Sequence, residues 1–184
     1  MERLDTDLPG VYLIRPPVFS DSRGFFYESY HQKKFADIGI SAPFVQDNHS
    51  KSVKGTLRGL HYQAKFPQAK LCRVIQGEVY DVAVDIRKGS PTFARWYGAI
   101  LSAENKLELY IPRGFAHAFL VLSETAEFLY KCDEFYHAED ERGIAWNDRE
   151  IGIKWKVRDP ILSQKDKVNP ELSGIKSEDL PNFK

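Results

Sequence analysis

The sequence predicts an all-β protein, a sandwich or barrel built from many short strands. Three observations carry that prediction. Apolar residues recur mostly with period two, the signature of half-buried strands. Aromatic and β-branched residues, which suit a pleated surface, are frequent. Glycines at 10, 24, 55, 77, 89 and 114 separate the apolar runs at short intervals, too close for a repeating strand–helix–strand fold.

Taken in order, strands are expected near Val11–Arg15, Phe25–Tyr30, Phe44–Ser52, Thr56–Gln63, Leu71–Gln76, Glu78–Ile86, Ala94–Leu101, Leu107–Ile111, Ala116–Leu122 and Glu127–Phe135. Shorter ones are expected near Ile144–Trp146 and Ile153–Trp155. Gly77 stands between two runs as a hairpin turn. Helix is expected only over His31–Ile38, with Gly39 as its C-cap, and in a short turn opened by Ser163. A jelly roll of such strands encloses a lumen between its sheets that a small ligand can fill.

The chain has 184 residues, which points to one domain with a core large enough to need no disulfide or structural metal. Twenty-six basic residues balance twenty-six acidic ones, so long nucleic acid is not an expected partner. Small anions remain compatible, because they need only a local cluster of Arg and Lys. Cys72 and Cys132 are the only cysteines, which suits a reducing cytoplasm. The N-terminus lacks the apolar stretch of a secretory signal, and no apolar run approaches a membrane span.

Several polar residues fall where a core is expected. Asp81 shares a strand face with Val79 and Ala83. Alternation alone leaves two readings open, a solvated outer face or a lumen where the carboxylate needs a partner. Lys70, at the start of the preceding strand, is the candidate partner. His117 and Tyr130 each lie on an apolar strand face, and on the pattern alone each reads more readily as a satisfied core residue than as a site residue. In TLRGLHYQ, simple alternation puts Arg58 and His61 on opposite faces, while Gly59 between them marks a bulge or a close backbone approach.

His61 and His117 also raise a metal question. Ile111–Phe119 resembles the second motif of metal-binding cupins, but their first motif is not matched, since His61 is followed by Tyr62 and Gln63 with no positioned Glu. Gln is a poor transition-metal ligand, and two His fall short of a catalytic set, so no native metal is expected.

Together the motifs point further. DSRGFFYESY (Asp21–Tyr30), FVQDNHSKS (Phe44–Ser52), GTLRGLHYQ (Gly55–Gln63), the run from Gln68 to Phe93, IPRGFAHAFLVLS (Ile111–Ser123), the run from Glu127 to Asp148 and LSQKD (Leu162–Asp166) span nearly the whole chain. In this order they resemble the dTDP-4-dehydrorhamnose 3,5-epimerase family, which has a cupin-type jelly roll. The resemblance implies a homodimeric, cofactor-independent enzyme acting on a dTDP-linked 4-keto-6-deoxy sugar, inverted at the two carbons beside its ketone. It assigns His61 as base and Asp166 as the carboxylate holding its imidazole. Lys70 becomes the charge at the carbon-4 oxygen and Tyr130 the opposite-face acid. By the same transfer, Arg23 and Arg58 grip the diphosphate, and Glu28, Gln46, Asp47 and Asn48 are nucleotide-side contacts. Phe26 and Tyr136 supply aromatic surface, His117 lies near the sugar, and Glu141 and Lys165 are outer contacts. Arg23, Phe26 and Glu28 are expected to serve a neighbouring subunit through exchanged N-terminal strands. Two other readings share these motifs: inversion at one carbon only, and a non-catalytic sugar-nucleotide binding module.

Overall fold

The computed structural model describes residues 1–183. Its strands run β1 (Glu2–Asp5), β2 (Tyr12–Arg15), β3 (Val18–Asp21), β4 (Gly24–Tyr27), β5 (Gln46–Val53), β6 (Leu57–Gln63), β7 (Lys70–Gln76), β8 (Glu78–Asp85), β9 (Trp96–Ser102), β10 (Glu108–Ile111), β11 (Phe115–Val121), β12 (Thr125–Cys132) and β13 (Glu141–Gly143). One helix, α1 (Gln32–Asp37), and short 3₁₀ turns complete the description. Antiparallel pairing gives a six-stranded sheet, β1-β2-β10-β7-β12-β5, and a five-stranded sheet, β13-β6-β11-β8-β9. The strands β3 and β4 form a separate hairpin. This is the expected jelly roll.

Three apolar layers hold it. Between the sheets lie Val79, Leu101, Leu109, Phe119, Val121 and Phe128. Full burial of a side chain such as Phe128 contributes about 2 kcal/mol. Outside the five-stranded sheet, Leu57, Leu60, Val82, Val84 and Leu120 are covered by Ile144, Ile151 and Leu172 of the C-terminal segment. Outside the six-stranded sheet, Phe35 of α1 packs on Ile14 and Leu71. Both faces of β8 are therefore buried, and the reading of Asp81 as a solvated residue is excluded.

The C-terminal cover corrects two expectations. Ile144–Trp146 and Ile153–Trp155 are not strands; pairing with β6 ends with β13 and the Ile144 amide on Leu60 O at 3.0 Å, and beyond it the apolar side chains pack as an extended lid on the sheet. Conversely, β1 and β3 were not expected. The first reads ERLD and sits at a sheet edge, so it carries no apolar alternation. At Gly77 the chain turns from β7 into β8 with φ +76°, where a Cβ would lie 2.1 Å from the Thr125 carbonyl.

Gly59 resolves the parity conflict. Pairing of β6 with β11 sets His61 opposite His117, but Arg58 opposite Phe119. Three steps on β6 thus match two on β11, which is a β-bulge. Gly59 has φ +118°, and a Cβ there would lie 2.4 Å from the His117 carbonyl. The bulge turns Arg58 and His61 to one face and leaves Leu57 and Leu60 together on the other.

Candidate active site

A cavity of about 610 Å³ opens between the sheets, walled by β5, β6, β7, β11, β12 and the segment around Ile161–Asp166. That volume suits a small-molecule ligand. His61, Lys70, His117, Tyr130 and Asp166 all line it, together with Asn48, Arg58, Tyr136 and Glu141.

His61 lies in the wall with its Nε2 donating to Asp166 Oδ1 at 2.5 Å. Asp166 is held in turn by Ser163, whose hydroxyl donates to Oδ2 at 2.8 Å and accepts from the Asp166 amide at 3.1 Å. Ser163 therefore caps the expected turn. Burial pushes the Asp166 carboxyl up, but the His61 hydrogen bond and charge, then Ser163 and Lys165, outweigh it and leave it below the usual value. An ionised Asp166 fixes the proton on Nε2 and leaves Nδ1 as the basic nitrogen of His61.

His117, the cross-strand neighbour of His61, forms a second pair. Its Nε2 donates to Asp81 Oδ1 at 2.6 Å, and the pair is buried almost completely. This corrects the expected Lys70–Asp81 ion pair. Asp81 sits on β8 diagonally across from His117 on β11, so the imidazole reaches it first. Lys70, nearly buried at the end of β7, donates instead to Gln68 Oε1 at 3.2 Å. Its ammonium stays in the cavity wall, held by a neutral amide, where it can meet developing negative charge on a ligand.

Tyr130 enters from β12, beside His117, with ring centroids 6.3 Å apart. Burial pushes its phenol up, Cys132, Cys72 and Glu141 add to the rise, and Arg58 opposes it. The hydroxyl thus keeps its proton at neutral pH. At the mouth, Tyr136 donates to Glu141 Oε2 at 2.7 Å, and Lys165 bonds the same carboxylate. Burial raises the Glu141 carboxyl, but Lys165, Tyr136 and His61 pull it below its usual value. Arg58 Nε donates to Ser52 Oγ at 3.1 Å, which aims the guanidinium along the wall.

Other expected site residues lie elsewhere. Gln46 stands just behind the wall, accepting from the Tyr136 amide at 3.0 Å and donating to Asn48 at 3.1 Å. Asp47 alternates to the outer face of β5, where it pairs with Lys131 at 2.8 Å. Arg23 is exposed on the β3–β4 hairpin beside Asp21, Phe26 is 70% exposed there, and Glu28 pairs with Lys34. None of these three reaches this chain's own cavity. Sequence reasoning missed Gln68, which holds Lys70; its place two residues before Lys70, just ahead of β7, was the available signal. Gln63 lines the cavity, with its amide engaged in the wall: it donates to Phe66 O and accepts from the His137 amide.

A jelly-roll lumen carrying a carboxylate-held imidazole, a lysine and a protonated tyrosine defines an acid–base catalyst of proton transfer at carbon. The profile of one family, dTDP-4-dehydrorhamnose 3,5-epimerase, matches residues 5–174, and the chain belongs to that family. It is 57% identical over 168 residues to the dTDP-4-dehydrorhamnose 3,5-epimerase of Shigella flexneri, covering 90% of this chain and 93% of that one. The Legionella pneumophila dTDP-6-deoxy-D-glucose-3,5-epimerase, solved in complex with dTDP-4-keto-L-rhamnose, superposes with TM-score 0.97 at 48% identity, over 100% and 98% of the two chains. A 3'-monoepimerase from Streptomyces bikiniensis in complex with dTDP-quinovose also matches, with TM-score 0.89 and 33% identity over 96% and 91%.

Proposed function

We propose that the chain epimerises dTDP-4-dehydro-6-deoxy-D-glucose at carbons 3 and 5 of the sugar, a step of dTDP-L-rhamnose biosynthesis. The observation that carries this reading is the meeting of His61–Asp166, Lys70 and Tyr130 around one cavity. Each carbon flanks the carbon-4 ketone, so removing its proton gives an enolate, and one set of groups serves both in turn. His61 takes the proton, and Asp166 stabilises the imidazolium that forms. Lys70 offsets the charge growing on the carbon-4 oxygen. Tyr130 returns a proton from the opposite face, which inverts the centre. No redox cofactor enters this sequence.

Arg58 grips the diphosphate, and Asn48, His117, Tyr136, Glu141 and Lys165 surround the remaining substrate. Arg23, Phe26 and Glu28 act in the cavity of a second copy. Supporting this, the hairpin that bears the first two exposes Phe19, Phe25 and Phe26 by 60–70%. The working enzyme is then a cytoplasmic homodimer, and dilution to monomer abolishes turnover.

Proton NMR of the product tests the reading. Inversion at both carbons supports it. Inversion at one carbon favours the narrower activity, to which the 3'-monoepimerase resemblance gives weight. Binding without turnover contradicts both. Replacing Tyr130→Phe should lower net inversion more than solvent exchange at the same carbon; equal losses contradict the acid role.

A further inference from the structure

On the core side of the cavity wall, three side chains of different chemistry converge. His117 Nε2 is 2.6 Å from Asp81 Oδ1 and 3.8 Å from Cys72 Sγ, and one ligand atom from each residue lies within 4.8 Å of the other two. They come from three strands, β7, β8 and β11, and all three are buried. Asp81 Oδ2 is buried and accepts no hydrogen bond among the described residues. A buried carboxylate oxygen without a partner is costly, and a cation would relieve it.

We propose that Cys72, Asp81 and His117 form a three-ligand site for a thiophilic divalent cation, with Zn²⁺ as its fitting occupant, and that filling it blocks the cavity. Imidazole, carboxylate and thiolate are the ligand types zinc takes in tetrahedral sites. Bonds of about 2.0–2.3 Å place neighbouring ligand atoms roughly 3.3–3.8 Å apart. The Cys72–His117 separation already meets that span. The Asp81–His117 separation must open by roughly 0.7 Å, a small movement of two side chains.

Charge also balances. On coordination the Cys72 thiol gives its proton to solvent, the His117 proton moves from Nε2 to Nδ1 to free the Nε2 lone pair, and thiolate plus carboxylate neutralise the dication. The fourth position is open to water or a substrate oxygen, as in sites with three protein ligands. His117 lies in the cavity wall and supplies the way in. With Nε2 held by the metal, the ring is fixed on the core side and can no longer shift toward a ligand in the cavity. The metal-binding half of this inference stands independently of the epimerase reading; only the loss of turnover rests on it.

The test uses the full-length protein, stripped with chelator and kept in a non-thiol reductant. Titration with Zn²⁺ should show one ion per chain and a loss of most turnover, restored by chelator. Cys72→Ala, with Cys72→Val as a packing control, should keep basal turnover and weaken inhibition by about 100-fold. Cys132→Ala, at the other buried thiol, should leave inhibition unchanged. Co²⁺ should give a thiolate charge-transfer band in the wild type that both Cys72 variants lack. Inhibition that survives Cys72→Ala, or bound Co²⁺ without that band, overturns the site. A Cys72-dependent band with full turnover overturns the blocking role alone.

Discussion

His61 and His117 are neighbours on paired strands, and each donates Nε2 to an aspartate at nearly the same distance. Their surroundings differ. The His61 side chain is 32% exposed into the cavity, and its Asp166 arrives from the C-terminal segment outside both sheets. The His117 side chain is 8% exposed, and its Asp81 is fully buried within β8. The same pair of groups is thus placed once where it is open to a ligand and once where all but an edge of it is withdrawn behind the cavity wall. Exposure, rather than the pairing itself, separates a base from a structural or positioning pair.

The largest effect should come from the exposed pair. His61→Ala should lower kcat/KM by about 100- to 10,000-fold while thermal unfolding barely moves. Asp81→Ala should invert that pattern. Leaving one member of a buried pair alone costs about 3 kcal/mol, read as a lowered denaturant midpoint. Equal activity losses with unchanged stability would erase the distinction between the pairs.

Glu108 sharpens the comparison, because it is a buried carboxyl with no hydrogen-bond partner among the described residues. Burial pushes it up to about 8, against the opposing charges of Arg73 and Lys131. The native state therefore keeps its proton, while the unfolded chain releases it from about pH 4.3. Stability is fully present below that point and is lost as pH rises through about 8. Glu108→Gln should flatten this decline in melting temperature between about pH 4.3 and about 8. An unchanged slope contradicts the assignment.

The smallest effect belongs to Asp166. Its folded pKa is depressed, so its stabilisation is present above the unfolded value of about 3.9 and is lost as pH falls through the lower folded one. Asp166→Asn should give a shallower acid limb in unfolding curves. A limb as steep as the wild type's would show that the carboxylate gains nothing from His61.

The sequence made much of this fold legible, because period-two runs such as GEVYDVAVD mark strands directly. It misread Ile153–Trp155, since an extended lid and a strand carry the same apolar pattern. The glycine bulge that unites Arg58 and His61 follows from Gly59 and the alternation only once the family resemblance asks for both residues at one ligand. The aspartate partners were not legible. Asp166 lies 105 positions from His61 and entered only through family resemblance. Consecutive strands in the sequence pair Asp81 with Lys70, but β7 and β8 lie in different sheets, and the β8–β11 register that gives Asp81 to His117 exists only in three dimensions.

Turnover of the dTDP-linked 4-keto-6-deoxy sugar in heavy water, with wild type beside His61→Ala, tests the central claim most directly. Deuterium at carbons 3 and 5 with the wild type, and at neither with His61→Ala, is the predicted result. Label at both carbons with His61→Ala would contradict a single base at His61.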